Sequence, residues 1–261
     1  MRSLDIGATG MMAQQMNVDV ISNNIANMST SGYKRQRAAF QDLMYQTIDR
    51  PGSTSSDSGT TVPSGIQMGL GVKTGAVYRM HSQGTLTVTD NQLDLAITGE
   101  GFFQIQMPNG DTGYTRDGTF QLNENGEIVT TQGYVVDPGI TVPTNATSID
   151  INPDGEVFAH ITGQVALTNL GQLQLASFIN PSGLDSIGNN LYLETTASGT
   201  PTTGTPGSDN FGTVQQGSLE SSNVNVVSEI TNLIQAQRAY EMNSNVISTS
   251  DEMLQTITQL R

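Results

Sequence analysis

The chain has 261 residues, room for one large domain or two smaller ones. Its 24 acidic and 10 basic residues leave a net charge of −14, which argues against nucleic acid as the main partner, because phosphate binding needs a basic face. Cysteine is absent, which excludes thiol nucleophiles and zinc ribbons and suits a chain indifferent to redox compartment. High glycine (28 residues), few aromatics (5%) and no Trp point to extended, turn-rich β-structure more than to a compact enzyme with a dense aromatic core. The opening MRSLDIGATGMMAQQ lacks the apolar core of ~7–15 residues of a cleavable signal peptide. No stretch approaches the ~18 apolar residues of a membrane span. The expectation is a soluble chain, not inserted in a membrane, that leaves the cytoplasm, if it does, without a cleaved signal.

Residues 3–27 read as a helix, with Leu4, Ala8, Met11, Gln15, Val18, Ser22 and Ile25 at steps of four and three, although Gly7 and Gly10 weaken its first turns. The turn formers of Asn27–Gly32 end it. Residues 33–49 carry Phe40, Leu43 and Met44 at spacings open to helix or strand. Lys34, Arg35 and Arg37 form a basic cluster, read as solvated or intersubunit, with an anionic surface as the alternative. Residues 50–65 are rich in Ser, Thr and Gly, with Pro51 and Pro63, and a loop of that length is unusual unless it has a job.

From Ile66 to about Phe211 the period changes to two, in short strands separated by Asn-Gly and Asp-Gly turns. Leu122–Val129 and Ile151–Phe158 are expected as hairpins around Asn125-Gly126 and Asp154-Gly155. Residues 198–210 read as a loop. The last forty residues, from Ser222, contain neither Pro nor Gly. Asn232, Ala236, Ala239, Asn243, Val246, Ser250, Met253, Ile257 and Leu260 alternate at four and three, the geometry of a coiled-coil seam. Tyr240, Ile247 and Leu254 widen the seam, and Ser222 or Asn223 is the expected N-cap.

The fold class is therefore α+β, with N- and C-terminal helices forming a coiled coil or bundle, an inserted all-β domain and an extended linker. The expected boundaries are 1–30 for the first helix, 31–69 for a connecting region with an extended loop at 46–65, 70–215 for the β-rich domain and 216–261 for the last helix. The helices can bury their faces within one molecule or against copies of it. The small and polar positions Ala236, Ala239, Asn243 and Ser250 favour the second, since buried Asn specifies register, which matters most in a repeating assembly.

No catalytic constellation stands out, and no cofactor or metal is expected. His81 and His160 are isolated, Asp90, Asp94 and Glu100 read as a solvated acidic face, and Asn123–Glu127 and Asn152–Glu156 fit turns better than calcium loops.

Four stretches carry a family resemblance. SNNIANMSTSGYK (Ser22–Lys34), with Asn23, Asn24, Ala26, Asn27, Gly32, Tyr33 and Lys34, resembles the N-terminal signature of the axial proteins of the bacterial flagellum, a family of rod and hook proteins. GEGFF (Gly99–Phe103) and YTRDGTF (Tyr114–Phe120) resemble its β-domain, and Ser222–Leu260 its C-terminal helix. Ser29 and Tyr33 are small departures from the pattern. QTIDRPGSTSSDSGTTVPSG (residues 46–65), followed by IQMGLGV, is similar to the insertion of those members that build the distal, straight part of the rod.

The resemblance implies a structural subunit rather than an enzyme: a stiff tube that transmits torque and encloses an export channel. In it the terminal helices are the subunit interface, and the loop, with Arg50, Pro51, Gly52 and Pro63, reaches a neighbouring copy. Implied partners are the chain itself, the proximal rod and hook proteins or the junction between them, the ring proteins of the peptidoglycan and outer-membrane layers, and the flagellar type III export apparatus. The implied location is the periplasmic rod of the basal body. A hook or proximal rod subunit is the near alternative; a secreted β-rich adhesin or binding module is the alternative of another class.

Overall fold

A computed structural model describes residues 2–51, 64–164 and 166–259. The loop positions Gly52 and Pro63 and the seam position Leu260 lie outside the described residues. The architecture is α+β: one helix at each end of the chain and a β-rich region between them. The chain folds into two compact units, the first from the described residues of 1–25, 36–78 and 225–261, the second from those of 26–35 and 79–224.

In the first unit, helix α1 spans Arg2–Ala26 and helix α2 spans Val226–Gln259. With 34 residues, α2 is about 50 Å long. Its N-cap differs from the expectation. Asn225 Oδ1 accepts the Ser228 backbone N–H at 3.1 Å, and the helix starts at the next residue. Asn223 is committed elsewhere: its Oδ1 accepts the Arg35 N–H at 2.7 Å, and its Nδ2 donates to the Met80 carbonyl at 2.9 Å.

The segment left open between helix and strand is strand. β1 (Gln36–Asp42) pairs with β4 (Val72–Arg79), and β2 (Tyr45–Asp49) with β3 (Ile66–Gly69). The register Gln46↔Met68 and Thr47↔Gln67 puts the beginning of the expected loop at 46–65 into a ladder. Backbone pairing there outweighs the three- and four-residue spacing of a few apolar side chains.

The second unit holds an antiparallel sheet whose main path runs Asp185–Gly188, Leu191–Leu193, Thr112–Thr115, Phe102–Gln106, Val135–Val136, Ile128–Thr130, Phe120–Leu122. Leu175–Ser177 also pairs with Phe102–Gln106 and carries Thr202–Gly204 on its other side, so part of the stretch read as a loop at 198–210 is strand. A meander of Ala146–Ile151, Glu156–Ile161 and Thr168–Gln172 forms a smaller sheet.

Both expected hairpins form, with registers Ile128↔Leu122 and Ile151↔Val157. Gly126 and Gly155 sit at φ 80° and 77°, a backbone conformation that costs glycine little. Asn123, in one of the calcium-like stretches, spends its Oδ1 on the N–H groups of Asn125 and Glu127, as a turn requires.

The core of this unit gathers Leu95, Ile97, Phe103, Ile105, Phe120, Ile128 and Leu175 among others. A second cluster packs Phe102, Tyr114, Phe178 and Tyr192 edge to face, with ring centroids 4.8 Å apart for Tyr114–Phe178 and 5.9 Å for Phe102–Phe178. The aromatic residues are few, yet the fold concentrates them, so low aromatic content does not mean an aromatic-poor core.

Candidate assembly surfaces and a buried charge cluster

Where α1 meets α2, α1 presents glycine. A Cβ on Gly7 would lie 3.0 Å from Ile247 Cγ1, and one on Gly10 2.8 Å from Asn243 Nδ2. The residues that weaken α1 as an isolated helix are those that let the second helix come close.

On α2 the covered side is Glu229, Asn232, Ala236, Ala239, Asn243, Ile247, Ser250 and Leu254, with Glu229, Ala236 and Ser250 fully buried. Of the expected interface residues, Ala236, Ala239, Asn243 and Ser250 lie on this side, while Val246, Met253 and Ile257 are exposed. On α1, Leu4, Ala8, Met11, Val18 and Ile25 are half-buried. The fully buried positions are Gly7, Ala13, Val20, Ile21 and Asn24.

Met242, Val246, Met253 and Ile257 follow at steps of four, seven and four, within about 60° of one another around the helix axis. They form an apolar stripe beside the covered side, and each is exposed, Met242 at 61% and Ile257 at 59%. A second apolar face lies on the β2–β3 ribbon. Leu70 N donates to Met44 O at 3.3 Å, next to the Gln46↔Met68 pair, so Met44, Met68 and Leu70 share one face, and all three are exposed. Ile48 and Ile66, at the bulge of the same ribbon, are exposed as well. Of the expected loop residues, Arg50 and Pro51 are exposed at the end of this ribbon.

Two family-signature residues are buried polar joints. Asn24 is 1% exposed. Its Nδ2 donates to Gln36 O at 2.9 Å and to Glu229 Oε2 at 3.2 Å, and its Oδ1 accepts the Gln36 N–H at 2.8 Å. One amide thereby ties α1, β1 and α2.

Lys34 is fully buried, which corrects its reading as part of a solvated or intersubunit basic cluster. In the second unit its Nζ donates to Glu220 Oε1 at 2.6 Å and to Ser82 O at 3.0 Å. Arg116, from the YTRDGTF stretch, donates through Nη1 to Glu220 Oε2 at 3.3 Å and through Nη2 to Gly99 O at 2.6 Å. Burial lowers the Lys34 pKa, Glu220 raises it and Arg116 lowers it again.

Gly32, at φ 67°, donates its N–H to Glu220 O at 2.8 Å, and a Cβ there would stand 2.7 Å from the Arg116 carbonyl carbon. Asn27 closes the turn after α1 by accepting the Thr30 N–H at 3.3 Å; Ala26 is exposed and Tyr33 half-buried. Sequence reasoning missed Glu220. Its signal was weak: one acid after Gly217, with no neighbour in the chain to suggest a partner.

His81 packs edge-on against Phe102 and Tyr192, with centroids 5.7 and 6.1 Å away. Burial, then the positive charges of Lys34, Arg116 and Arg79, push its pKa down to about 4. His160 lies 3.4 Å from Asp150 Oδ2 on the surface. Asp94 is buried and held by Thr89 Oγ1 at 2.6 Å and Asn91 Nδ2 at 2.9 Å, a structural role where a solvated face was expected. Among the described residues no three metal-binding side chains converge, and no helix is long and apolar enough to cross a membrane.

These features, two helices with apolar surface to spare and buried polar joints, agree with three family matches. Residues 4–34 match the model of flagella basal body rod proteins. Residues 96–159 match the D1 domain of flagellar hook proteins FlgE/F/G, and residues 215–260 the C-terminal part of flagellar basal body rod FlgEFG proteins. The chain is 58% identical to the flagellar basal-body rod protein FlgG of Caulobacter vibrioides over 100% of both chains. It is 54% identical to that of Buchnera aphidicola subsp. Acyrthosiphon pisum over 99% of each. The Bacillus subtilis protein of the same name is 40% identical over 100% of this chain and 99% of its own. The chain belongs to the family of flagellar basal-body rod proteins FlgG.

Proposed function

We propose that the chain polymerises through its terminal helices into the straight, stiff tube of the distal rod, transmitting torque and enclosing the export channel. Family membership makes it a structural subunit of that rod in the flagellar basal body. The observation that carries the assembly reading is the apolar stripe of Met242, Val246, Met253 and Ile257, left exposed beside the side of α2 that α1 covers. An exposed stripe of this kind on a long helix calls for a neighbour, and coiled-coil packing against helices of other copies would bury it.

The apolar face of the β2–β3 ribbon supports a second contact between copies. A two-stranded ribbon is marginal in water by itself, so cover from a neighbour stabilises it. In this reading Arg50 and Pro51 sit at the contact, and the ribbon fills space through which adjacent subunits would otherwise slide. The proximal rod and hook proteins, the peptidoglycan- and outer-membrane-layer ring proteins and the flagellar type III export apparatus are the proposed partners, in the periplasm, after export without a cleaved signal.

The test is the double substitution Val246→Asp and Met253→Asp. Both sites are exposed, so the monomer should keep its fold by circular dichroism, while rods vanish in electron micrographs and motility is lost. Wild-type motility in a stably expressed double variant would sink the proposal.

A further inference from the structure

The two ends of the β-rich unit meet at one carboxylate. Residues 26–35 form its first stretch of chain, and Ser218–Glu220, paired with Leu86–Val88, its last strand. Three donors of the first stretch find their acceptors in the last strand or just after it: Gly32 N on Glu220 O at 2.8 Å, Lys34 Nζ on Glu220 Oε1 at 2.6 Å and Arg35 N on Asn223 Oδ1 at 2.7 Å. We propose that residues 218–223 are a latch: residues 26–35 dock on the β-rich unit only when Glu220 and Asn223 have arrived, so the end of the chain's β-region closes its beginning.

Charge holds the latch closed. Glu220 Oε1 serves Lys34 and the Gly84 N–H (2.8 Å), and Oε2 serves Arg116 (3.3 Å), so a single buried carboxylate neutralises two buried cations. Without it, Lys34 and Arg116 are like charges held away from water, with the charge of Glu100 acting on Arg116 and none on Lys34, and an uncompensated buried charge is strongly destabilising. Three contacts that residues 26–35 make outside the last strand are neutral: Asn190 Nδ2 to Ser31 O at 3.2 Å, Met80 N to Arg35 O at 2.9 Å and, for Lys34 itself, Nζ to Ser82 O at 3.0 Å. None of them supplies a negative charge.

The closure is also sterically tight, because a Cβ on Gly84 would collide with Ser221 O. An asymmetry follows. Removing Glu220 strands two cations, whereas removing Lys34 leaves Glu220 and Arg116 balanced one to one.

Hydrogen exchange on the full-length protein tests the latch. In pulse labelling during refolding from denaturant, the amides of Gly32 and Arg35 should gain protection together with Leu219 and Ser221, after Ile105 and Val157. Under native conditions Glu220→Gln should speed exchange at Gly32 and Arg35 roughly a hundredfold, with Ile105 unchanged, and Lys34→Met should change it less than about tenfold. Protection of Gly32 before Leu219 and Ser221 overturns the proposal, as does an effect of Lys34→Met as large as that of Glu220→Gln. If Glu220→Gln does not fold, Asn223→Ala decides. A latch requires Gly32 and Arg35 to respond together, and a response of Arg35 alone refutes it.

Discussion

Asn24 and Glu229 stand 205 positions apart in the chain, yet the Asn24 amide donates to the Glu229 carboxylate at 3.2 Å inside the first unit. The same amide both accepts from and donates to the backbone of Gln36. Asn24→Ala removes the bonds to the Gln36 backbone and to the Glu229 carboxylate, and leaves buried partners to find others. We expect a loss of about 1–3 kcal/mol in the stability of this unit, measured as a lower urea midpoint of the helical signal. Asn24→Asp should cost more, because it sets a second carboxylate against Glu229.

Gly32 is held at φ 67° against the Arg116–Asp117 backbone, whereas Gly133, at φ 85°, has open space where a Cβ would go. Alanine at either position pays for the left-handed conformation, but only at Gly32 does it also push on backbone. Thermal denaturation should show Gly32→Ala destabilising by about 2–4 kcal/mol and Gly133→Ala by about 1 kcal/mol. Equal effects would mean that the turn after α1 is looser than its geometry.

His81 gives the β-rich unit a pH dependence whose sign is fixed. Its folded pKa of about 4 lies below the ordinary histidine value of 6.5, so the unfolded chain binds the proton more readily. Stability from this group is present above pH 6.5, falls as pH drops through the interval from 6.5 to about 4, and levels off below it. Lys34, Arg116 and Arg79 are the charges that face it. His81→Gln should flatten the stability profile across that interval in denaturant titrations at several pH values, with little change at pH 8.

Deleting residues 46–65 removes β2 and leaves β3 without its partner strand. If the ribbon stiffens contacts between copies, the shortened protein still assembles, since the α2 stripe is untouched, but into curved rather than straight tubes. Electron microscopy of assembled rods reads the difference directly. Straight tubes from the deleted chain would remove the ribbon from the account of stiffness.

The long helices were legible because Ser222–Arg261 has no helix breaker and repeats at four and three, and the two hairpins because Asn-Gly and Asp-Gly leave little choice of turn. Periodicity says less about which stripe of a helix is covered within the molecule. Val246 and Ile247 are adjacent, similar in character and about 100° apart, and only the approach of Gly7 selects Ile247 for α1. The most buried positions of α1 include Gly7, Ala13 and Asn24, whose small or polar side chains carry little hydrophobic signal. Lys34 illustrates the limit from another side. A lysine beside two arginines reads as surface, and its burial depends on a glutamate 186 positions later, a pairing that only the folded chain brings about.

The apolar surface left uncovered on the first unit is rich in methionine: Met12 and Met16 on α1, Met44 and Met68 at the ribbon, Met242 and Met253 on α2. An unbranched thioether bends to fit where leucine or isoleucine would demand one shape. In the assembly proposed above, where stacked subunits would meet neighbours in several directions, the same methionine could settle against each of them without a change of backbone. That tolerance has a chemical cost. Oxidation to the sulfoxide would turn this surface polar, so in the proposed assembly contacts built on methionine would suit imperfect fit and tolerate peroxide poorly.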